Sequence, residues 1–354
     1  MNNLLIITGA GASFDVADRY VINVRKDYQP PLTNSLFTSG DNQDIKWVRD
    51  CLTANPVAAQ VGIDWKPSGK PLENYLSDLQ NMKDIPTLQR QYFAVPIYLH
   101  DLFSRISHTF IETAKSGVPS NYVSLINAIV QSTYANIIWL NLNYDLFADN
   151  AIGYVTNNPL RNFSDYMNIK TKEGKEIKYT KPHGSVNWYR VNKNSIPWHV
   201  IRMGEISSDF AAYLSEGIYT QDAAHKAGYT NVDVQLYPAL LAPVGKYDYV
   251  YNDHINTIQP ELEHVSAVLC IGFSAFDNDI LNLLKSIPPI DNLKIVNGKL
   301  DSGEEVYRRI NNYCPNLFNK IRLNNIQHLP YIFDGGFTSF VQREMLNWLG
   351  IRRI

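Results

Sequence analysis

Residues 4–15, with the sequence LLIITGAGASFD, constrain the fold more than any other part of the chain. Residues 4–8 are apolar or β-branched, which predicts a short strand buried on both faces, as in a parallel sheet. The turn that follows is made of the small residues Gly9, Ala10, Gly11, Ala12 and Ser13. Such a turn lets backbone N–H groups approach a phosphate, and a following helix would add its positive N-terminal end. The stretch therefore indicates a nucleotide diphosphate site, with a plain strand-to-helix connection as the alternative.

The segment after this turn lacks the second half of an ordinary dinucleotide-binding unit. Residues 16–42 contain no second apolar strand, and no strand leads up to Asp27, which stands near the distance of a ribose-binding carboxylate. Pro30 and Pro31 instead predict a rigid extended turn. The sequence therefore argues against a simple dehydrogenase.

Apolar segments of strand length alternate with amphipathic segments in the rest of the chain. Helical spacing predicts a helical insertion at about residues 44–132, with a long helix over residues 88–114 that bends at Pro96. Residues 153–180 have the composition of turns, and an irregular insertion is expected at about residues 185–265. Further strands are predicted at 137–142, 265–272, 293–296 and 320–323, and the last helix at 337–349. The alternation predicts an α/β fold with a Rossmann-like, mostly parallel sheet flanked by helices.

Polar or Gly-rich loops follow four of these strands, with the sequences GAGAS, NLNYD, IGFS and VNG. The carboxyl ends of parallel strands lie along one edge of an open sheet, and ligands bind at that edge. We therefore expect residues that are distant in sequence to converge on one cleft.

Composition excludes several classes of protein. The chain has 32 Lys and Arg against 34 Asp and Glu, so its charge gives no case for direct nucleic-acid binding. Cys51, Cys270 and Cys314 are far apart, which argues against a disulfide framework or a zinc ribbon. The sequence has neither an 18-residue apolar run nor a signal peptide, so we expect a cytoplasmic protein that does not bind a membrane. The histidines lack the spacing of metal ligands, so we expect no bound metal. The 22 tyrosines suggest amphipathic surfaces suited to a homo-oligomer.

Taken in order, the motifs GAGAS, NLNYD, KPHGSVNW and IGFSAFDNDI resemble those of the sirtuin family. They are most similar to its bacterial branch of NAD-consuming antiphage proteins. The resemblance implies a single sirtuin-like domain over residues 1–354 that carries the two insertions. Deacylating sirtuins have four zinc-binding cysteines after the His-Gly pair, whereas residues 185–265 contain none. The resemblance therefore implies no zinc ribbon.

The resemblance also implies a site for NAD⁺ as the substrate. Two residues would be catalytic, Asn143 and His183, with His183 as the base. The residues that would contact NAD⁺ are Gly9, Ala10, Gly11 and Ser13 at the diphosphate, Asp145 at the nicotinamide ribose, Gly272 and Ser274 at phosphate and ribose, and Asn297 at the adenosine ribose.

These residue types suit cleavage of the dinucleotide. Nicotinamide leaves as a neutral base, so the barrier lies in forming an oxocarbenium-like ribose, which needs placed dipoles and a positioned nucleophile. The Asn143 amide can orient water without a charge to desolvate, and a histidine near its usual pKa can accept the proton. The structural alternatives are a packed His183, helix capping by Asn143 and Asp145, and a turn role for Ser274.

The function implied is NAD⁺ hydrolysis to ADP-ribose and nicotinamide, used to deplete NAD in antiphage defence. The resemblance further implies that oligomerisation or a separately encoded partner, such as a HerA-type ATPase, controls the activity. Two alternatives remain open. One is an NAD-dependent protein deacylase, and the other is a non-catalytic subunit that senses NAD or ADP-ribose.

Overall fold

The computed structural model describes residues 2–16, 29–38, 46–82, 85–113, 120–241, 250–320 and 331–351. Asp27 lies outside these ranges, and so do residues 321–323 of the strand expected at 320–323.

Ten strands are found within the described ranges. They are β1 (Asn3–Thr8), β2 (Asn136–Asn141), β3 (Ile169–Lys170), β4 (Glu176–Thr180), β5 (Gly184–Asn192), β6 (Leu214–Thr220), β7 (Leu236–Leu240), β8 (Val265–Ile271), β9 (Asn292–Val296) and β10 (Ile332–Phe333).

The same ranges contain sixteen α-helices. Those before β5 are α1 (Ala10–Phe14), α2 (Lys46–Ala54), α3 (Pro56–Trp65), α4 (Leu72–Asn81), α5 (Pro86–Thr113), α6 (Ser120–Gln131), α7 (Phe147–Thr156) and α8 (Phe163–Met167). Those after β5 are α9 (Trp198–Arg202), α10 (Gln221–Lys226), α11 (Val232–Gln235), α12 (Asn252–Ile258), α13 (Asn278–Lys285), α14 (Leu300–Tyr313), α15 (Gly336–Arg343) and α16 (Met345–Trp348).

The main sheet has seven strands in the order β10-β9-β8-β1-β2-β4-β3. Its neighbouring strands are parallel except β3, which runs antiparallel to β4. All six residues of β1 are buried, as expected for a central strand covered by helices on both faces. The predicted α/β fold with a Rossmann-like, mostly parallel sheet is confirmed, and β2, β8 and β9 lie where the sequence places strands.

The order of the strands reverses at β1. The chain continues from β1 to β2 and β4 on one side, then returns to β8 on the other side and continues to β9 and β10. Loops that leave β1, β2 and β8 therefore diverge from neighbouring points on one edge. A sheet of this kind binds ligands in the crevice at this reversal.

Helices α2 to α6 occupy most of the stretch predicted to be a helical insertion. The long helix α5 has 28 residues, and Pro96 lies within it. Its apolar face contributes Leu99, Leu102 and Ile106 to the same hydrophobic core as the central strands. The side chains at helical spacing are therefore core residues, as the sequence predicts.

Two expectations about irregular segments are wrong. Within residues 185–265, strands β5, β6 and β7 form a three-stranded antiparallel sheet in the order β6-β5-β7. Within residues 153–180, β4 pairs in parallel with β2. Ile177 and Tyr179 of β4 are buried while Glu176 and Lys178 are partly exposed, so the strand lacks the unbroken apolar run of a central one.

A buried histidine lies in an aromatic cluster between β4 and β5. Nε2 of His254 lies 3.0 Å from the Phe163 carbonyl oxygen, and Nδ1 lies 3.2 Å from Oγ1 of Thr180. The rings of Trp188 and Tyr251 contact it edge-on. Burial lowers the pKa of His254 to about 4, so the imidazole is neutral in the folded protein at neutral pH.

The stability of the protein should therefore fall when the pH drops from 6.5 to about 4. In that window the unfolded chain binds a proton at residue 254 and the folded chain does not. A pKa difference of one unit between the folded and unfolded chains corresponds to about 1.4 kcal/mol. The difference between 6.5 and about 4 at His254 therefore lowers the free energy of unfolding by about 3 kcal/mol. Urea unfolding of the wild type and of His254→Gln at pH 7 and pH 4.5 measures it, with the exposed His108→Gln as the control. Equal pH dependence in the wild type and His254→Gln would contradict the assignment.

Candidate active site

A cleft of about 370 Å³ opens at the carboxyl edge of the main sheet, where the strand order reverses. This volume falls in the range of small-molecule sites. The loops after β1, β2, β8 and β9 line it, together with residues 30–34 and one face of α14. All the site residues predicted from the sequence are among the lining residues: Gly9, Ala10, Gly11, Ser13, Asn143, Asp145, His183, Gly272, Ser274 and Asn297.

The glycines of the first loop have a packing role that the sequence does not reveal. The N–H groups of Gly9 and Gly11 donate to the carbonyl oxygens of Ile271 (2.9 Å) and Gly272 (3.2 Å). A Cβ on Gly9 would lie 2.6 Å from the Gly272 oxygen, and a Cβ on Gly11 would lie 2.8 Å from the Gly272 Cα. The loops after β1 and β8 therefore touch backbone to backbone, and these N–H groups are already bonded within the chain.

The side chain of Asn143 is fixed in the cleft by its amide nitrogen. Nδ2 donates to the carbonyl oxygen of Gly9 (3.0 Å) and to Oγ of Ser13 (2.9 Å). The Ser13 hydroxyl also lies 3.2 Å from the Tyr122 hydroxyl, and Ser13 is buried. Ser13 thus lines the cleft, and its hydroxyl oxygen accepts a hydrogen bond that holds Asn143 in place. Both amide protons of Asn143 are therefore bonded within the protein, which fixes the orientation of the side chain.

A buried lysine supports the loop that carries Asn143. Lys181 has no exposed surface, and its Nζ donates to the Asp145 carbonyl oxygen (2.5 Å), Oγ of Ser185 (2.7 Å) and Oδ2 of Asp149 (3.2 Å). Oδ2 of Asp149 also accepts from the Tyr179 hydroxyl at 2.8 Å. A buried ion pair of this kind requires its partners, because either charge alone would be uncompensated.

Asp145 lies one residue before Leu146, the N-cap of α7, and also lines the cleft. Its Oδ1 accepts the N–H of Phe147 (3.1 Å) at the start of α7. Burial raises the pKa of Asp145, and the Lys181 charge counteracts this shift.

His183 is paired with a carboxylate. Its Nε2 lies 2.5 Å from Oδ2 of Asp277, and the two side chains are 15% and 13% exposed. Burial alone would lower the pKa of His183, but the charge and hydrogen bond of Asp277 outweigh it and raise the pKa. Burial would raise the pKa of Asp277, yet His183 and the N–H groups of Asp279 and Ile280 hold it below its usual value. The expectation of a histidine near its usual pKa is therefore wrong.

Sequence reasoning missed Asp277 as a site residue. Its Oδ1 accepts the N–H groups of Asp279 (2.9 Å) and Ile280 (3.0 Å), so it is the N-cap of α13. The sequence signal for a cap is an aspartate directly before an apolar-periodic segment, as here. That signal does not show that the second carboxylate oxygen reaches His183, 94 residues away.

The far end of the cleft, beside β9, carries the other predicted ribose contacts. Ser274 is exposed, and its carbonyl oxygen accepts from Nη1 of Arg309 at 2.8 Å. The Arg309 guanidinium lies 3.6 Å from the Phe276 ring centroid and 3.2 Å from the Glu305 carboxylate. Oδ1 of Asn297 accepts the N–H of Gly298 at 2.8 Å. This end therefore carries both signs of charge next to polar side chains.

Within the part of the chain that the structure describes, no three His, Cys, Asp or Glu side chains cluster as metal ligands would. Among the same residues no helix is both long and apolar enough to cross a membrane.

Solved structures that align with most of this chain include Sir2 homologues. One is a Sir2 homologue with a Phe-to-Ala substitution in complex with ADP-ribose, 11% identical, with a TM-score of 0.39. Another carries a His-to-Asn substitution, also with ADP-ribose, at 10% identity and a TM-score of 0.34. Each alignment covers 92% of this chain and 94% of the other. No family model and no curated protein matches the sequence. The assignment to the doubly wound α/β class accordingly rests on the strand order of this chain.

Proposed function

We propose that this protein hydrolyses NAD⁺ to ADP-ribose and nicotinamide. The observation that carries the proposal is the convergence of the predicted residues on one cleft, at the point where a sheet of this order binds dinucleotides. Asn143 and His183 come from separate parts of the chain and reach this cleft together with the Gly-rich turn. Two nucleotide halves on either side of the reversal would place one ribose towards β2 and the other towards β9.

The chemistry follows from the groups that face the cleft. The breaking bond joins C1′ of the ribose to the nicotinamide nitrogen, whose electron pair leaves with the neutral base. Water forms the new bond to C1′ and gives up a proton, for which His183 is the acceptor once its ring is neutral and one of its nitrogens is released from its hydrogen-bond partner. In this proposal the side-chain oxygen of Asn143 accepts a hydrogen bond from that water and directs the lone pair of the water at C1′.

We further propose that hydrolysis depletes cellular NAD as an antiphage response. The sequence resemblance supports this role, with oligomerisation or a HerA-type ATPase as the control.

Incubation of the purified protein with NAD⁺, alone and with the candidate partner, tests the proposed function. We expect nicotinamide and ADP-ribose in equal amounts without any peptide, measured by liquid chromatography. Turnover only with an acylated peptide would replace hydrolysis by deacylation. NAD⁺ binding without turnover in both conditions would instead favour a sensing subunit.

A further inference from the structure

The contact between His183 and Asp277 is a side-chain contact between the segment that leads into the small sheet and the loop that follows β8 of the main sheet. His183 precedes β5 of the small sheet, and Asp277 lies between β8 of the main sheet and α13. The 2.5 Å contact between Nε2 and Oδ2 lies at the cleft, and both residues line it. The carboxylate is itself held in place, because its other oxygen accepts two N–H groups at the start of α13.

The surroundings of the imidazole leave it little freedom. A second hydrogen bond joins the ring to the backbone of Leu142, and the Tyr144 ring lies 6.4 Å away, centroid to centroid. Asp279 adds a further negative charge from the first turn of α13. Among the described residues that influence the titration of His183 most strongly, the charged ones are thus Asp277 and Asp279. Both favour a proton on the ring.

We propose that Asp277 is the positioning residue of this site: its carboxylate, 2.5 Å from Nε2, fixes the orientation of the His183 ring and favours a proton on it. The proposal rests on the proposed function for its catalytic consequence, because a protonated ring accepts no proton from water. The ring becomes a base when it loses that proton, so the pH at which hydrolysis reaches its full rate is set by Asp277. The carboxylate acts through His183 and touches no reacting atom.

The cap and the pairing can be separated by substitution. Asp277→Asn keeps a side-chain oxygen for the N–H groups of α13 and removes the charge. Asp277→Ser also keeps a capping oxygen, but its side chain is too short to reach His183. Thr220→Ala is the matched control, because it deletes the N-cap oxygen of α10, which accepts the Ala223 N–H at 3.3 Å, and residue 220 does not line the cleft.

The first measurement is an NMR titration of the His183 ring in the ligand-free protein. We expect Asp277→Asn to shift the midpoint to lower pH by about one unit or more, and Thr220→Ala to leave it in place. The second measurement is kcat/KM for NAD⁺ against pH. The acid limb should move to lower pH in Asp277→Asn by the same amount, and the plateau of Asp277→Ser should fall at least about tenfold because the ring is no longer oriented.

The two measurements distinguish this proposal from the proposed function. If the wild type releases no nicotinamide under any condition, hydrolysis is refuted, and the NMR titration still decides whether Asp277 controls the ring. If NAD⁺ is hydrolysed but Asp277→Asn titrates like the wild type, the inference about Asp277 is overturned and hydrolysis stands. Equal shifts in Asp277→Asn and Thr220→Ala would reduce Asp277 to a helix cap.

Discussion

Replacing Gly272 with alanine should destabilise the protein by about 3 kcal/mol or more and disrupt the cleft. Gly272 has a φ of +60°, and a Cβ there would lie 2.2 Å from the Ala12 nitrogen and 2.4 Å from the Gly11 carbonyl carbon. These are backbone atoms of the first loop, so no side chain can rotate away. The loops after β1 and β8 would have to separate, and the hydrogen bond from Gly11 to Gly272 would break.

The matched control is Gly228→Ala. Gly228 also has a positive φ, +93°, but a Cβ there would meet no atom within 4 Å. The free energy of unfolding of Gly228→Ala should fall by only about 1 kcal/mol, which is the strain of placing an alanine in the left-handed region. Urea unfolding compares the two variants, and NAD⁺ binding by calorimetry reports the cleft. Similar midpoints for Gly272→Ala and Gly228→Ala would show that the two loops are free to move apart.

The sequence predicts those parts of the site that follow buried parallel strands. Strands β1, β2, β8 and β9 are short apolar runs, and polar loops at their carboxyl ends must share one edge of the sheet. This local signal locates Gly9, Asn143, Gly272 and Asn297 without knowledge of any side-chain contact. The same reasoning fails for β4, where buried Ile177 and Tyr179 alternate with polar residues, and for the antiparallel strands β5 to β7.

The remaining features of the site are pairings between distant residues. A lysine such as Lys181 is expected at the surface from its residue type. Only the fold places Asp149 beside its ammonium group. Asp277 has a local signal as a helix cap, and only the approach of the small sheet to α13 brings His183 to its second oxygen. The raised pKa of His183 is a consequence of that approach, so no motif could have predicted it.

Replacing Asn143 with alanine should reduce NAD⁺ hydrolysis by about a hundredfold or more while the protein stays folded. The substitution removes the amide oxygen that we propose as the acceptor for the attacking water, together with the bonds from Nδ2 to the Gly9 carbonyl oxygen and Ser13 Oγ. His183→Ala should have an effect of similar size, because general base catalysis contributes about a hundredfold to ten-thousandfold. Both variants are assayed for nicotinamide release under the condition that gives wild-type turnover, with circular dichroism as the check on folding.

Asn55→Ala is the control that separates the loss of a buried amide, which lowers stability, from the loss of a catalytic group. Asn55 is fully buried, and its Nδ2 donates to the carbonyl oxygen of Cys51 (2.8 Å) and to Oδ2 of Asp101 (2.9 Å), while its Oδ1 accepts from Nε of Arg202 (3.1 Å). Its loss should lower stability by about 1–3 kcal/mol and leave the rate per folded molecule unchanged. If Asn143→Ala and His183→Ala both keep the wild-type rate, the two residues do not carry the reaction. A loss in Asn143→Ala that Asn55→Ala matches would trace to stability, because both lose buried amide bonds and only one faces the cleft.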